Sequence, residues 1–186
     1  MGSLTEEQES ILIGTLLGDG ALRKKASTLL EINHSSKQKD YVFWLYSKFR
    51  DFINDSPKLR VNGPNRTSYR FTTRSIKTLN EFYKNFYTTK GHKTIPRKLK
   101  LNVLSLAIWF MDDGSKSRNA VYFNTQQFNL TEQEYLVSLL KQGFGLKATL
   151  NKDKKYYRIR LSCESTKVFS TLVSSYLLPS MRYKLP

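Results

Sequence analysis

The stretch Leu12-Ile13-Gly14-Thr15-Leu16-Leu17-Gly18-Asp19-Gly20 is an apolar helical run ending in Asp-Gly, and Leu106-Ala107-Ile108-Trp109-Phe110-Met111-Asp112-Asp113-Gly114 is a second one. Their aspartates, Asp19 and Asp113, lie 94 positions apart. Further pairs follow in the same order. Leu30-Glu31-Ile32-Asn33 recurs as Val121-Tyr122-Phe123-Asn124, and Tyr69-Arg70-Phe71 as Tyr157-Arg158-Ile159. Lys93-Thr94-Ile95-Pro96 recurs, shortened, as Lys184-Leu185-Pro186. The interval from aspartate to lysine is 74 residues in the first copy and 71 in the second. One such pair means little; four in order point to a duplicated unit.

Each copy reads as αββαββα. Thr5 and Gln8 have the spacing of a capping box, which opens a helix running to about Leu17. Strands are expected at 21–25 and 29–35, an amphipathic helix at 40–52, strands at 58–61 and 69–74, and a helix at 75–87. The second copy gives a helix at 101–111, strands at 115–118 and 120–126, and a helix at 131–142. Strands at 147–151 and 156–163 and a helix at 166–176 complete it. The expected fold class is therefore α+β, with one unit at 1–92, a basic linker at 93–100 carrying Pro96, and a second unit at 101–186.

Composition narrows the function. Lys plus Arg number 31 against 15 acids, a net charge of +16, so a polyanionic partner is expected, nucleic acid foremost. The cations are spread through strand-like segments rather than gathered in one tail, which places them on a folded surface. No apolar run is long enough to span a membrane. The acidic, polar stretch Met1–Ser10 resembles neither a secretory signal nor an Arg-rich transit peptide. The protein is thus expected to act where it is made, with a mitochondrion or plastid as a fitting compartment. The one cysteine, Cys163, excludes an internal disulfide and is expected to pack as a small hydrophobe. Trp44 and Trp109 lie in apolar helical stretches and are expected in the core. His34 and His92 lack ligand spacing to each other or to Cys163, so no zinc site is expected.

The strands alternate. Tyr157, Ile159, Leu161 and Cys163 interleave with Arg158, Arg160 and Ser162; Val121 and Phe123 interleave with Tyr122, Asn124 and Gln126. Period-two alternation puts one set on the helices and the other on solvent. The solvent set is rich in Arg, Lys, Asn, Gln and Tyr and poor in acids, the composition that contacts phosphates and base edges.

The aspartates are placed unusually. Each sits at the C-terminal end of an apolar helix, where the helix dipole opposes negative charge, and Asp112 adds another acid beside Asp113. Asp-Gly also marks ordinary turns after helices. Its recurrence in a protein so basic points instead to a bound cation, for which carboxylate and backbone oxygens are ligands. Gly14 and Gly18, four apart, share one face of the first helix and let a second backbone come close. Packing the two apolar helices together would bring Asp19 and Asp113 side by side, and two like charges then need a metal or a proton between them. Lys93 and Lys184, each followed shortly by proline, hold matched places after each unit's last helix. Near a metal-bound water an ammonium can stabilise charge or position the nucleophile.

With these residues in view, the chain resembles the LAGLIDADG homing endonucleases, and its duplication resembles their single-chain, two-motif members. The likeness covers nearly the whole sequence. It is tighter from Phe110-Met111-Asp112-Asp113-Gly114 through Asn124-Thr125-Gln126 to Tyr183-Lys184-Leu185-Pro186, which is similar to intron-encoded mitochondrial members. The resemblance implies a pseudo-twofold saddle of two αββαββα units, with the motif helices packed at its centre and two four-stranded sheets straddling DNA. It implies that Asp19 and Asp113 bind the catalytic metals and that Lys93 and Lys184 match the basic residues near each active site. Cutting of both strands across the minor groove, with short 3′ overhangs, is implied as well. Two positions depart from the motif: Ile108 stands where its glycine would be, and Asp112 where its small residue would be.

The expected function is metal-assisted hydrolysis of both strands of a long double-stranded DNA site by a monomer. Mg²⁺, with Mn²⁺ able to substitute, would be held by Asp19 and Asp113 with help at Gly18 and Asp112. Candidate DNA contacts are Arg23, Lys25, Asn33, Ser35, Lys58, Arg60, Arg70, Thr72 and Arg74 in the first copy. In the second they are Lys116, Arg118, Asn124, Gln126, Lys147, Arg158 and Arg160. An RNA-binding group I intron maturase and a non-catalytic DNA-binding regulator on the same fold are the alternatives.

Overall fold

A computed structural model describes residues 3–24 and 26–186. Its elements run α1 (Glu6–Leu17), β1 (Ala21–Lys24), β2 (Thr28–Ser35), α2 (Lys39–Lys48), β3 (Lys58–Val61), β4 (Thr67–Thr72) and α3 (Leu79–Phe86). Then come α4 (Val103–Asp113), β5 (Gly114–Ser117), β6 (Ala120–Phe123), α5 (Leu130–Phe144), β7 (Ala148–Asp153), β8 (Tyr156–Leu161) and α6 (Cys163–Val173). A 3₁₀ turn, Pro179–Lys184, closes the described chain and was not expected from the sequence. The αββαββα order thus occurs twice.

Local chemistry sets the helix starts. The Thr5 hydroxyl accepts the Gln8 amide at 3.2 Å while Gln8 Oε1 accepts the Thr5 amide at 3.0 Å. Asn102 with Ser105 and Asn129 with Glu132 make the same reciprocal box ahead of α4 and α5. Gly145, at φ +67°, ends α5 in the left-handed conformation that only glycine adopts without strain.

Strands β1-β2-β4-β3 form one antiparallel sheet and β5-β6-β8-β7 the other, with matching order. Their inner faces, Leu22, Leu30, Ile32 and Phe71 in one and Val121, Phe123, Ile159 and Leu161 in the other, are buried against the helices. Phe123 gathers Trp109 at 4.2 Å and Phe169 at 5.7 Å between ring centroids. The outer faces are open, so the two sheets make the expected saddle, with α1 packed against α4 at its centre.

Two expectations at the strand ends need correction. Cys163 does not pack inward: it is exposed at the first position of α6. Ser162 ends β8 early by accepting the Ser165 amide at 3.1 Å, so alternation stops before Cys163. Strand β6 stops at Phe123 rather than running to 126, because the Asn124 amide and side chain both bind the Asp113 carbonyl. Trp109 is fully buried, whereas Trp44 is half-buried. No helix among the described residues is long and apolar enough to cross a membrane.

Candidate active site and nucleic-acid face

The site begins with the closeness of α1 and α4. A Cβ built on Gly14 would lie 2.5 Å from Ile108 Cβ and 2.6 Å from the Ser105 carbonyl oxygen. One built on Gly18 would lie 2.3 Å from Asp112 Cβ. No real side chain tolerates such distances, so the two glycines permit a near-contact of backbones. Ile108 and Asp112, the two departures from the motif, are the residues that fill the space these glycines leave open.

This packing brings the ends of both helices together. The Asp19 amide donates to Asp112 Oδ2 at 3.0 Å, joining the two repeats. Asp112 is buried: its Oδ1 accepts the Tyr41 hydroxyl at 2.6 Å and lies 3.6 Å from His34 Nε2. His34 Nδ1 in turn lies 3.5 Å from Asp19 Oδ2. His34 Nε2 is buried without a hydrogen-bond partner. The Asp19 side chain is half exposed, and Asp113 is half-buried.

Lys93 and Lys184 enter symmetrically. Lys93 Nζ donates to the Gly18 carbonyl at 2.5 Å. Lys184 Nζ donates to the Met111 carbonyl and, at 2.8 Å, to that of Asp112. Each ammonium thus binds the carbonyl just before a motif aspartate, satisfying helix-end acceptors and opposing the dipole's negative pole. Gln127 crosses from the second repeat, donating to the Leu17 carbonyl at 3.2 Å and reaching Asp113 Oδ2 at 3.5 Å.

The electrostatics are those of crowded acids. Burial, then the charges of Asp19 and Asp112, push the Asp113 carboxyl up to about 8; Lys93 and Lys184 only partly offset this. Burial and the charge of Asp19 push Asp112 up to about 7, against the pull of its Tyr41 and Asp19 hydrogen bonds. Burial lowers both lysines while the three aspartates pull them back up. Burial lowers His34 and raises Tyr41. A small, hard cation beside Asp19 and Asp113 would relieve this repulsion, and oxygen ligands suit Mg²⁺, so these residues fit a divalent metal. The Gly18 and Asp112 carbonyls already accept an ammonium, which leaves each a second lone pair for a metal. The Asp112 carboxylate faces the helix interface.

The outer sheet faces collect most of the expected nucleic-acid contacts. Asn33 pairs across with Arg70, Lys58 with Arg70, and Glu31 with Thr72, so Asn33, Lys58, Arg70 and Thr72 share the solvent face. Arg23, Ser35 and Arg60 continue it by alternation, and Arg74 is exposed just past β4. Lys25 lies outside the described residues. In the second sheet Arg158 and Arg160 are on the outer face, and Lys147 is exposed just before β7. Arg118 is at the β5–β6 turn with φ +52°. Asn124 is held on the Asp113 carbonyl, and Gln126 on Asp153 at 2.8 Å. Lys116 stands apart: it pairs with inward-facing Val121, and its Nζ donates to the Leu185 carbonyl at 2.6 Å.

Sequence reasoning missed Tyr41, His34, Gln127 and the outward Thr149 and Asn151; it put Tyr122 on the solvent face without naming it as a contact. The one available signal for His34 was its parity with Leu30 and Ile32, which already marked it as inward. Nothing local ties Tyr41 or Gln127 to the motif. The outer face also carries two acids that composition had not led us to expect, Glu31 and Asp153.

Known proteins agree with this geometry. The model of the LAGLIDADG DNA endonuclease family matches residues 9–169. The cytochrome b mRNA maturase bI2 of Saccharomyces cerevisiae is 31% identical over all of this chain, which spans 48% of that protein. A probable intron-encoded endonuclease 1 of Wickerhamomyces canadensis is 30% identical over 98% of the chain and 85% of its own length. Among solved structures, the homing endonuclease I-WcaI bound to its DNA recognition sequence superposes with a TM-score of 0.92 at 27% identity, covering 100% of this chain and 88% of that one. Duplicated motif helices, paired sheets and these relationships together place the chain in the LAGLIDADG DNA endonuclease family.

Proposed function

We propose that the chain is a site-specific endonuclease that binds a long double-stranded DNA site across its two sheets and hydrolyses both strands, leaving short 3′ overhangs. The carrying observation is the meeting of Asp19 and Asp113 at the ends of two touching helices, where burial first and then the charges of Asp19 and Asp112 raise Asp113 to about 8. Asp19 and Asp113 would hold Mg²⁺, or Mn²⁺ in its place. When bound, such a metal lowers the pKa of a water and stabilises the leaving 3′ oxygen. Asp112, fixed by Tyr41 and the Asp19 amide, sets where Asp19 sits. Lys93 and Lys184 hold the carbonyls ahead of each aspartate and bring positive charge towards the attacked phosphates. Both half-sites lie on one chain, at 1–92 and 101–186, so the protein works as a monomer.

A second reading, an RNA-binding intron maturase, draws support from the name of the Saccharomyces relative. A regulator that only binds DNA would be expected to have lost a motif acid, and both are present. Cleavage of a randomised duplex library in Mg²⁺ separates them. Defined double-strand cuts by the wild type, absent from the Asp19→Asn/Asp113→Asn variant, are expected. Binding without cuts from either protein, in Mg²⁺ or Mn²⁺, would overturn the nuclease reading and favour RNA.

A further inference from the structure

The two outer sheet faces hold equivalent arginines by different chemistry. In the first sheet Glu31 bonds Arg23 at 3.0 Å and also bonds Arg70. Its side chain is only 12% exposed, beneath the two guanidinium groups. In the second sheet the repeat puts Tyr122 where Glu31 stands and Arg158 where Arg70 stands. There the Arg158 guanidinium lies 4.4 Å from the centre of the Tyr122 ring. One carboxylate therefore shares the charge of two arginines in one half, while a ring supports one arginine without neutralising it in the other.

We propose that Glu31 is a specificity-determining residue that makes the two half-sites read differently. This rests on the sheets being the DNA-binding face. A guanidinium tied to a carboxylate has two constraints. Its position is fixed, and part of its charge is spent, so it gains less from sliding to the nearest phosphate. Its remaining N–H groups still donate, and paired base-edge acceptors, as on guanine, are the partners that match their geometry. Arg158, stacked on Tyr122 with its buried Nε unpaired, keeps its full charge for phosphates, a contact that carries no sequence information. The first sheet thus reads its half of the site by directional bonds, and the second holds its half with more charge and less discrimination.

The test uses the duplex recovered from library selection with the wild type, and a mixed-sequence duplex of equal length as the non-specific probe. Binding of every single base-pair substitution is measured for wild type, Glu31→Gln and Tyr122→Leu over a salt series in Ca²⁺. Glu31→Gln is expected to bind the mixed-sequence duplex more tightly and to steepen the slope of log K against log salt by up to about one. It is expected to lose roughly five- to tenfold discrimination at positions confined to one half of the site, near the low end of what an arginine–guanine contact provides. Tyr122→Leu should leave that half unchanged. Arg70→Lys, which dismantles the same cluster from its other side, should blur the same half and serves if Glu31→Gln does not fold. A substitution profile unaltered by Glu31→Gln, or altered equally in both halves, overturns the proposal while leaving the nuclease reading intact. A wild type that selects no duplex overturns both.

Discussion

Alanine at Gly14 drives a methyl group into the seam between the motif helices. Its Cβ would sit 2.5 Å from Ile108 Cβ and 2.6 Å from the Ser105 carbonyl oxygen. Carbon atoms rest about 3.5–4.0 Å apart, so α1 and α4 must separate by about 1 Å or bend. Overpacking of this kind costs about 1–3 kcal/mol. Against it stands the better helix propensity of alanine, about 1 kcal/mol. The Ser105 contact is with backbone, which cannot swing away, so the upper part of the range applies and a net loss of about 1–2 kcal/mol is expected. With an m-value of about 2 kcal/mol/M, the urea midpoint should fall by about 0.5–1 M. Because the wedge sits one turn before Gly18, the 3.0 Å bond from the Asp19 amide to Asp112 should also stretch, and cleavage should fall by about a hundredfold, the penalty of misplacing a group by about 1 Å. Gly143, a helical glycine with nothing within 4 Å of its built Cβ, is the control. Gly143→Ala should stabilise by about 0.5–1 kcal/mol and leave cleavage unchanged. Equal stabilisation by Gly14→Ala and Gly143→Ala would refute the close-packing argument.

Other expectations follow from the buried cluster. Tyr41→Phe leaves the Asp112 carboxylate without its 2.6 Å donor and should cost about 1.5–3 kcal/mol, the range for a hydrogen bond to a charged group; an unchanged urea midpoint at pH 8 would contradict it. Asp112 is raised from 3.8 to about 7 in the metal-free fold, so the stability its proton supplies is present below pH 3.8 and is lost as pH rises through about 7. In chelator, the stability of Asp112→Asn relative to wild type should therefore climb between pH 5 and 7 by at most about 1.4 kcal/mol per unit; a flat difference would remove Asp112 from the linkage. Lys184→Met leaves two helix-end carbonyls without their donor and should destabilise by about 1–3 kcal/mol; a variant as stable as wild type in urea would contradict that role.

The parts of the site that were legible in the sequence are those written in short-range pattern. The Asp-Gly ends, the paired glycines and the repeated lysines each carry their meaning within a few residues, and duplication supplied the pairing between halves. Strand faces were legible wherever alternation ran unbroken, as from Tyr157 to Leu161. What was hidden depends on side chains meeting across the fold. Asp112 reads in the sequence as one more acid beside Asp113, and nothing there shows that its carboxylate is taken by Tyr41 and the Asp19 amide, contacts made by residues 71 and 93 positions away. Lys116 is on the surface as its sequence suggested, but its register opposite Val121 takes it off the outer sheet face and its ammonium is held by the Leu185 carbonyl. Glu31 is the one acid of β2, but its two arginine partners emerge only once β1, β2 and β4 are side by side.

In the proposed reaction Asp19 and Asp113 act together at the helix seam. Its most direct test is binding and cleavage of one recovered duplex by wild type, Asp19→Asn and Asp113→Asn, with Mg²⁺ for cleavage and Ca²⁺ for binding. The wild type is expected to cut both strands, while each variant binds within about threefold of wild type and loses cleavage by at least about a thousandfold, as expected when a metal ligand is removed. A variant that still cuts both strands at the wild-type rate would contradict that joint role.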